Sequence, residues 1–443
     1  MGWLCGHRTR NLCPMQNDPH SHGLWEMTAP PAPETEKLSR HIKADVAVVG
    51  GGFTGLSTAL HLAEGGAEVA VLEAVEIGFG ASGRNFGLVN AGMWVRPEDL
   101  PHVLGAIHGE RLLNLLGNGP AAVWNLIEKH GIDCQPVKNG TLHCAVGRKG
   151  FAEIKERARQ WTARGAPVKL LDATETAARV GSEAYSGSLL DLRAGTIHPL
   201  AYVRGVARAA LAAGAKIYTG SPVTATERAQ GKWIVRTPVG VVEADWIVVA
   251  TDAYTNSDTP WPAIRREQVH LPYFNMATKP LSSNVRQYIL PNREGAWDTR
   301  QVLSSFRLDG EGRLIFGSVG ALRGTGTAIH RAWAKRAINR IFPQLGDVEF
   351  EAEWYGMIGM TDNHLPKFHR FAPNAVGVCG YNGRGIAPGT VFGRVLADHI
   401  LGRMSEDELP LPVTAPENAA FRNVKEAYYE LGAQAAHLVE ERL

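Results

Sequence analysis

The clearest pattern of apolar and polar positions lies between residues 46 and 73. Residues 46–49 are four apolar, mostly β-branched residues, which predict a strand buried on both faces. Apolar residues then recur at helical spacing, at Leu56, Ala59, Leu60 and Ala63. A second apolar run follows at residues 69–72. The pattern predicts a strand, a turn, a helix and a second strand, as in the first unit of a parallel sheet.

Similar patterns predict elements further along the chain. Residues 246–251 and 375–378 are short apolar runs typical of buried strands, and a helix is predicted over 390–401. Strand-like runs at 268–276, 302–307 and 314–316 are predicted to form one antiparallel sheet.

These elements predict an α/β fold in which a Rossmann-type domain is interrupted by an α+β domain built on that antiparallel sheet. The predicted segments are 1–40 (an irregular arm), 41–92, 191–264 and 346–403 (the Rossmann-type domain), 93–190 and 265–345 (the second domain), and 404–443 (a link and a terminal helix). In the arm, His7, His20 and His22 are interpreted as solvated tail residues rather than a metal cluster, and Met15 is an alternative start.

Composition narrows the function classes. A net charge of +2 over 443 residues gives no reason to expect a nucleic acid or an acidic membrane surface as partner. The five cysteines contain no Cys-x-x-Cys spacing, which argues against a disulfide framework or a zinc site and favours a reducing cytoplasm. No secretory signal is visible, and glycines interrupt the long uncharged stretch at 46–63, so no transmembrane segment is predicted.

The turn after the first strand carries the chemistry. Gly50, Gly52 and Gly55 form G-x-G-x-x-G, in which glycines allow a tight turn, close approach of a pyrophosphate and packing of helix on strand. Glu73 follows Gly50 by 23 residues, where an acid accepts a bond from a ribose hydroxyl. The motif predicts FAD or NAD rather than NADP.

Two further stretches are rich in small residues. Residues 78–87 leave the carboxyl end of the second predicted strand, beside the phosphate crevice. Residues 380–389 precede the predicted helix at 390–401. Both stretches let backbone lie against a flat, bulky ligand.

The sequence resembles the flavoprotein family of D-amino acid oxidase, glycine oxidase and sarcosine oxidase. The resemblance rests on four features in this order: the glycine motif with Glu73, the loop at 80–85, the strand at 248–251 and the glycine-rich stretch at 380–389, called here the late glycine loop. The resemblance covers about residues 41–403. Within the family the chain is most similar to the γ-glutamylputrescine oxidase group, through residues 78–85 and the pattern of Trp354, Gly356, Thr361, Pro366, Phe368 and Arg370.

The resemblance implies a Rossmann-type FAD-binding domain, a discontinuous α+β substrate domain and non-covalent FAD. It implies these cofactor-binding residues: Gly50, Gly52, Phe53, Thr54, Gly55, Glu73, Ala74, Gly80, Ala81, Ser82, Arg84, Asn85, Phe86, Gly87, Val223, Ala250, Thr251, Gly383, Gly385, Ile386, Ala387 and Pro388. No metal is implied. The helix beginning near Thr390 is expected to stabilise negative charge on the reduced flavin.

The resemblance also implies an oxidoreductase that oxidises a C–N bond, with hydride passing to flavin N5 and the imine product hydrolysing. Amino-acid-oxidising relatives hold the substrate carboxylate with an arginine, where this chain has Met357, and sarcosine oxidase uses a lysine where it has Ala387. Without these cations, the carboxylate of a simple α-amino acid would be poorly paired. The substrate is therefore expected to be an amine, such as a γ-glutamylated amine or another ω-amino carboxylate.

Several residues are candidates for the substrate side. Arg384 and Arg307 are possible replacement anchors for a carboxylate. The predicted catalytic or substrate-contacting residues are Arg384, Asn382, Tyr381, His270 and Tyr355, with Tyr273 and Asn275 on the same segments. Ile315 occupies the place of the lysine that promotes reaction with oxygen in sarcosine oxidase, so oxygen and another electron acceptor both stay open.

Two other functions stay open on the sequence. One is a secondary or cyclic amino-acid oxidase or dehydrogenase, acting on a substrate such as pipecolate or hydroxyproline. The other, from a different class, is a non-catalytic flavin-bearing subunit or assembly protein that docks through its terminal segments. The sequence does not identify the substrate, the oligomeric state or a task for the terminal helix.

Overall fold

The computed structural model describes residues 22–440. The helices are α1 (Leu24–Thr28), α2 (Phe53–Glu64), α3 (Ala81–Arg84), α4 (Leu100–Leu104), α5 (Ala106–Gly117), α6 (Gly119–His130), α7 (Gly147–Ala163), α8 (Ala173–Val180), α9 (Pro199–Ala212), α10 (Pro262–Glu267), α11 (Ser283–Arg286), α12 (Thr325–Ile341), α13 (Ile386–Ile400) and α14 (Arg422–Val439).

The strands of the described chain belong to two large sheets and one small pair. They are β1 (His41–Val49), β2 (Val69–Leu72), β3 (Leu88–Val89), β4 (Thr141–Cys144), β5 (Val168–Leu171), β6 (Ser188–Asp191), β7 (Gly195–Thr196), β8 (Lys216–Tyr218), β9 (Ala225–Ala229), β10 (Lys232–Arg236), β11 (Val241–Val249), β12 (Val269–Pro280), β13 (Gly295–Asp298), β14 (Ser304–Leu308), β15 (Arg313–Val319), β16 (Phe350–Met360), β17 (Lys367–Ala372), β18 (Ala375–Cys379) and β19 (Val413–Thr414).

The first sheet has the order β19-β17-β18-β11-β1-β2-β8, with the hairpin of β9 and β10 beside β11. Its centre, from β18 to β8, is parallel. The carboxyl-terminal half of β1 and all of β2 are buried, because α2 and α13 pack together on the sheet. The strand–turn–helix–strand prediction for residues 46–73 is confirmed.

The second sheet has the order β16-β12-β15-β14-β13-β4-β6-β5. The pairs formed by β12, β15 and β14 are antiparallel, which confirms the single antiparallel sheet predicted for this region. The α/β fold with a Rossmann-type domain and a second α+β part is also confirmed.

The structure differs from the predicted elements in two places that concern the site. β16 lies at residues 350–360 and pairs with β12, so this part of the predicted Rossmann-type segment belongs to the second sheet. α13 begins at Ile386 rather than near Thr390, because Pro388 is compatible with the first turn of a helix and does not delay it.

The described part of the predicted irregular arm, residues 22–40, lacks regular structure except for one short helix and one isolated bridge. Residues 24–28 form helix α1, and the side chains of His22 and Trp25 are fully buried. His22 donates from Nε2 towards the carbonyl oxygens of Gly78 and Phe79, so it is a packed residue rather than a solvated one. His7, His20 and Met15 lie outside the described residues.

Trp25 connects this N-terminal helix to the small-residue loop at 78–87. Its indole Nε1 donates to the Asn85 carbonyl at 2.9 Å, and its ring packs edge-on against Trp354 at 5.4 Å between centroids. Trp25 therefore stabilises the loop at 78–87 both by burying its indole ring and by one hydrogen bond.

None of the described helices is long and apolar enough to cross a membrane.

We predict that Trp25→Ala costs about 3–5 kcal/mol of stability, since it removes a fully buried indole. The measurement is the melting temperature of the purified protein. Met27→Ala, on the same helix but 46% exposed, is the control and should change stability by less than about 0.5 kcal/mol. Equal melting temperatures for the two variants would contradict the role given to Trp25.

Candidate active site

The carboxyl ends of β1, β2, β11 and β18 open into one large cavity. Its volume is about 670 Å³, within the range of about 300–1,000 Å³ that is usual for cofactor and ligand sites. The walls come from the first sheet's loops, from residues 78–90, and from strands β12 and β16 of the second sheet. The cavity therefore lies where the two sheets meet.

The first glycine turn is closed too tightly for any side chain. Gly50 has φ 110°, and a Cβ there would lie 2.6 Å from the carbonyl oxygen of Ala250. A Cβ at Gly55 would lie 2.0 Å from the Gly50 carbonyl oxygen, so helix α2 rests directly on the turn. The N-cap residue of α2, Gly52, has no side chain with which to cap the helix, and in the first turn Phe53 N donates to Ser82 Oγ. The other backbone N–H groups at the start of this helix can bind an anion.

Glu73 stands at the end of β2 and is 9% exposed. Its Oε2 accepts from Gly51 N at 2.6 Å and its Oε1 accepts from Val75 N at 2.9 Å. Burial raises the pKa of this carboxyl, and the hydrogen bonds from backbone N–H groups oppose that rise. The predicted ribose-binding acid therefore also fixes the shape of the glycine turn.

The loop at 78–87 is folded rather than loose. Ser82 Oγ accepts from Phe53 N at 3.0 Å, which joins the loop to the start of α2. Asn85 donates from Nδ2 to the Ala81 and Ser82 carbonyls and accepts from Gly87 N at its Oδ1. These bonds hold the loop's backbone against the cavity, as its small residues predict.

The late glycine loop is fixed by Asn382. This residue has φ 52°, and its amide bonds to Thr361 N at 2.9 Å and to the Gly380 carbonyl. Its side chain is therefore occupied in holding the turn, so it is better placed to position the loop than to act on a substrate. Tyr381 shares a hydrogen bond of 2.7 Å with Thr54 Oγ1, and burial raises the pKa of its phenol well above the usual value. Tyr381 is therefore a neutral hydroxyl in the cavity wall.

Most predicted cofactor-binding residues line the cavity. They are Gly50, Gly52, Phe53, Thr54, Glu73, Ala74, Gly80, Ala81, Ser82, Arg84, Asn85, Phe86, Gly87, Val223, Ala250, Thr251, Gly383, Gly385 and Ile386. Gly55, Ala387 and Pro388 are buried within helices and are not among the walls. Ala387 is directed instead towards α6, since a Cβ on Gly119 would lie 3.1 Å from it. The start of α13, at Gly385 and Ile386, does face the cavity.

Two predicted substrate residues are misplaced, and strand geometry gives the reason. Leu271, Tyr273 and Asn275 of β12 line the cavity, so His270, one residue out of phase, does not. Tyr355 pairs across the sheet with Phe274, which packs in the core on the other face. Burial lowers the pKa of His270 to about 4, and its backbone N–H donates to Glu426 of α14.

Arg307 is not a substrate anchor either. It is 2% exposed, does not line the cavity, and donates from Nη1 to the Ile197 carbonyl at 2.6 Å and the Gly87 carbonyl at 3.2 Å. Its guanidinium also lies 5.5 Å from the centroid of the Trp25 ring. Arg307 therefore stabilises the loop at 78–87 through hydrogen bonds to backbone carbonyls.

Arg384 is the predicted anchor that does face the cavity. It is 9% exposed, and its guanidinium lies 4.7 Å from the Trp94 ring centroid and 5.7 Å from that of Trp297. Its Nη1 donates to the Ala91 carbonyl at 3.1 Å, while Nε has no partner. Among the described residues no carboxylate forms an ion pair with it, since Asp191 is engaged by Arg193. Burial lowers the pKa of Arg384 to about 9, which keeps it protonated at neutral pH.

Trp94 and Trp297 were not predicted. Trp94 Nε1 donates to the Asn382 carbonyl at 2.7 Å, and Trp297 stacks on His143 at 5.1 Å between centroids. The indole Nε1 of Trp297 is buried without a partner. Their segments carry no motif that would single them out among 11 tryptophans. Tyr254 is a further wall residue that was not predicted, although it lies five residues after the carboxyl end of β11, where ligand-binding residues are expected.

The residues present fit FAD. The walls combine a glycine turn with no room for a Cβ, an acid at the end of β2, and the N-termini of α2 and α13. Such N-termini favour a pyrophosphate and any negative charge that develops on a bound ring system. Backbone from two small-residue loops supplies the surfaces for a flat ligand.

The sequence matches a known family and known relatives. Residues 45–399 match the family model described as FAD dependent oxidoreductase, DAO. The chain is 33% identical to the probable oxidoreductase OrdL of Rhizobium meliloti, over 88% of this chain and 90% of that protein. It is 32% identical to the γ-glutamylputrescine oxidoreductase of Escherichia coli, over 93% of this chain and 98% of that protein.

Solved structures agree at the level of the fold. Glycine oxidase from Geobacillus kaustophilus superposes with a TM-score of 0.65 at 21% identity, covering 82% of this chain and 95% of that one. L-Amino acid deaminase from Proteus myxofaciens gives a TM-score of 0.70 at 17% identity, covering 85% and 94%.

We predict that Glu73→Gln weakens FAD binding about 10–100-fold, because an amide cannot supply two acceptor oxygens and the charge is lost. The measurement is a fluorescence titration of the apoprotein with FAD. Glu64→Gln, at the far end of α2 and paired with Lys129, is the matched control and should leave the affinity within about 2-fold. An unchanged affinity in Glu73→Gln would contradict the assignment.

Proposed function

This chain belongs to the DAO family of FAD dependent oxidoreductases, and we propose that it oxidises the C–N bond of an amine whose far end carries a carboxylate. Its relatives include named oxidoreductases, so the chain is an FAD-dependent enzyme acting on amine or amino-acid donors. The substrate class we favour is a γ-glutamylated amine or an ω-amino carboxylate. The name of the Escherichia coli relative, which specifies γ-glutamylputrescine, supports this class.

The observation that carries the proposal is the environment of Arg384. A buried guanidinium without an anionic partner is costly, since desolvation is not offset by an ion pair. Two indole faces compensate part of that cost through cation–π attraction, but Nε still has no acceptor. A carboxylate on the ligand would complete the site with charge-assisted hydrogen bonds.

The position of Arg384 differs from that of the arginine in amino-acid-oxidising relatives. Met357, aligned with that arginine, lines the cavity from β16, and its backbone N–H donates to the Tyr254 hydroxyl. Arg384 instead comes from the late glycine loop and enters between two tryptophans. The displaced cation favours a substrate whose carboxylate is remote from the amine that reacts.

Bound in this cavity, FAD would supply the acceptor for the hydride that leaves the carbon carrying the amine. The chain's own residues bind, orient and exclude water. The positive charge of Arg384 disfavours a protonated amine in the same cavity. Only a neutral amine has the nitrogen lone pair that forms the C=N bond as hydride leaves the adjacent carbon. The N-terminus of α13 stabilises negative charge that develops beside it. Trp94 and Trp297 shield the guanidinium of Arg384 from solvent.

Arg384 also supports the second candidate, a cyclic or secondary amino acid resembling pipecolate or hydroxyproline, because it could hold an α-carboxylate. The two candidates differ in the distance between carboxylate and amine, which a panel of substrates separates. The same experiment also shows whether the electron acceptor is oxygen or another carrier. Ile315, at the position of the oxygen-promoting lysine in sarcosine oxidase, is fully buried and brings no charge.

We further propose non-covalent FAD and a cytoplasmic location. The described cysteines, Cys134, Cys144 and Cys379, are buried free thiols, and none of them is among the cavity walls. Free thiols suit a reducing compartment.

We predict that anaerobic addition of γ-glutamylputrescine bleaches the flavin absorbance, and that its α-carboxamide analogue is oxidised about 10–100-fold less efficiently. The expected ratio follows from one charge-assisted pair, worth about 1.5–3 kcal/mol. Arg384→Gln should bring the acid-to-amide ratio of kcat/KM close to one, and Arg384→Lys should restore part of it. Admitting air then distinguishes oxidase from dehydrogenase by the rate of recolouring.

Arg193→Gln is the matched control, because Arg193 is a nearby cation that is paired with Asp191 and does not line the cavity. The ratio should persist in this variant. A panel including pipecolate and hydroxyproline tests the second candidate. A flavin that no amine bleaches would contradict the proposed function and favour the non-catalytic alternative, whereas an unchanged ratio in Arg384→Gln would contradict only the anchor.

We predict that acid precipitation releases the flavin completely into the supernatant, because no thiol of the described chain lines the cavity. The measurement is the absorbance spectrum of pellet and supernatant. Yellow colour that stays with the denatured chain would contradict non-covalent binding.

A further inference from the structure

The outer face of helix α14 is apolar and open to solvent. We use this name for Phe421, Val424, Tyr428, Leu431, Leu438 and Val439, which are 80%, 67%, 64%, 64%, 41% and 64% exposed. Together they account for six of the thirteen large apolar side chains that are exposed in the described chain. Such a concentration on one helix is unusual for a surface with no partner.

The opposite face of α14 fixes the helix to the body of the protein. Glu426 pairs with Arg265 at 2.8 Å, and the carboxylate of Glu430 forms an ion pair with Arg323. His437 is fully buried and shares a 2.7 Å hydrogen bond with His330. The helix therefore presents its outer face in a fixed orientation.

The spacing along the outer face matches a helix–helix seam. Phe421, Val424, Tyr428, Leu431, Ala435 and Leu438 follow one another at intervals of three, four, three, four and three residues. This alternation is the repeat with which two helices pack side chains into each other's gaps. Ala435 is small, which allows a facing helix to approach closely.

The lack of exposed charge on this face favours a second copy of the chain as its occupant. None of the exposed residues within α14 is charged: they are Asn423, Val424, Ala427, Tyr428, Leu431, Ala435, Leu438 and Val439. In a two-fold dimer each face meets its own copy, so a charged face would repel itself and an uncharged one does not. A helix that lies on a membrane needs cations beside its apolar face. Here Lys425 and Arg422 are engaged by Asp362 and the Arg265 carbonyl.

We propose that the outer face of α14 binds the same face of a second copy of this chain. The six side chains expose on the order of 600 Å² per copy, approaching the ~800 Å² per partner of a standard interface. The dimer would be of moderate affinity, and it would give the terminal helix a task separate from the flavin cavity.

The test uses the FAD-loaded full chain in sedimentation equilibrium over micromolar concentrations. The expected mass is twice the 48.0 kDa of one chain. Leu431→Glu, which places a charge at the centre of the seam in both copies, should weaken association at least about 30-fold. Its flavin content and turnover should match those of the unchanged protein. Ile107→Glu, at a 66% exposed apolar residue on α5, is the matched control and should remain dimeric.

Three results would overturn the proposal. The first is that the unchanged protein sediments at 48.0 kDa at every concentration. The second is that it forms a dimer that Leu431→Glu does not weaken. The third is that the monomer floats with vesicles of phosphatidylcholine and phosphatidylglycerol, which would assign the face to lipid. Flavin content and melting temperature of Leu431→Glu show that a loss of mass does not come from misfolding.

Discussion

The structure depends on the close approach of three backbone segments at the end of β1. The turn at Gly50 lies against the Ala250 carbonyl of the neighbouring strand, and helix α2 rests on the Gly50 carbonyl through Gly55. No side chain fits at either contact, so the glycines are required by space as well as by the φ of Gly50. This contact directs the N-terminus of α2 into the cavity. Ser82, Glu73 and Tyr381 then bond to the same turn and helix start, which joins the loops around the site.

The dinucleotide half of the site could be predicted from the sequence because its signals are local. The glycine turn, its helix and Glu73 lie within 24 consecutive residues, and each has a spacing that physics constrains. The Arg384 site could not be predicted in full. Trp94, Trp297 and Arg384 come from three distant segments, and only the folded chain brings the two indoles to the guanidinium.

Three differences between the structure and the sequence-based predictions have simple causes. His270 lies one position out of phase with Tyr273 and Asn275, and a shift of one residue in a strand places a side chain on the opposite face. α13 starts four residues earlier than predicted, at Ile386, which moves its N-terminus to the cavity wall and strengthens the expected stabilisation of negative charge. The helix in the N-terminal segment could not be predicted, because five residues are too few to show a helical periodicity, although Trp25 in it is fully buried.

We infer that this cavity holds one FAD on a backbone surface that is already formed before the flavin binds. The most direct measurement is the flavin content and melting temperature of the purified protein before and after removal and return of FAD. We expect about one FAD per chain, a lower melting temperature without it, and full recovery when FAD is returned. A colourless protein whose melting temperature does not respond to FAD would contradict it.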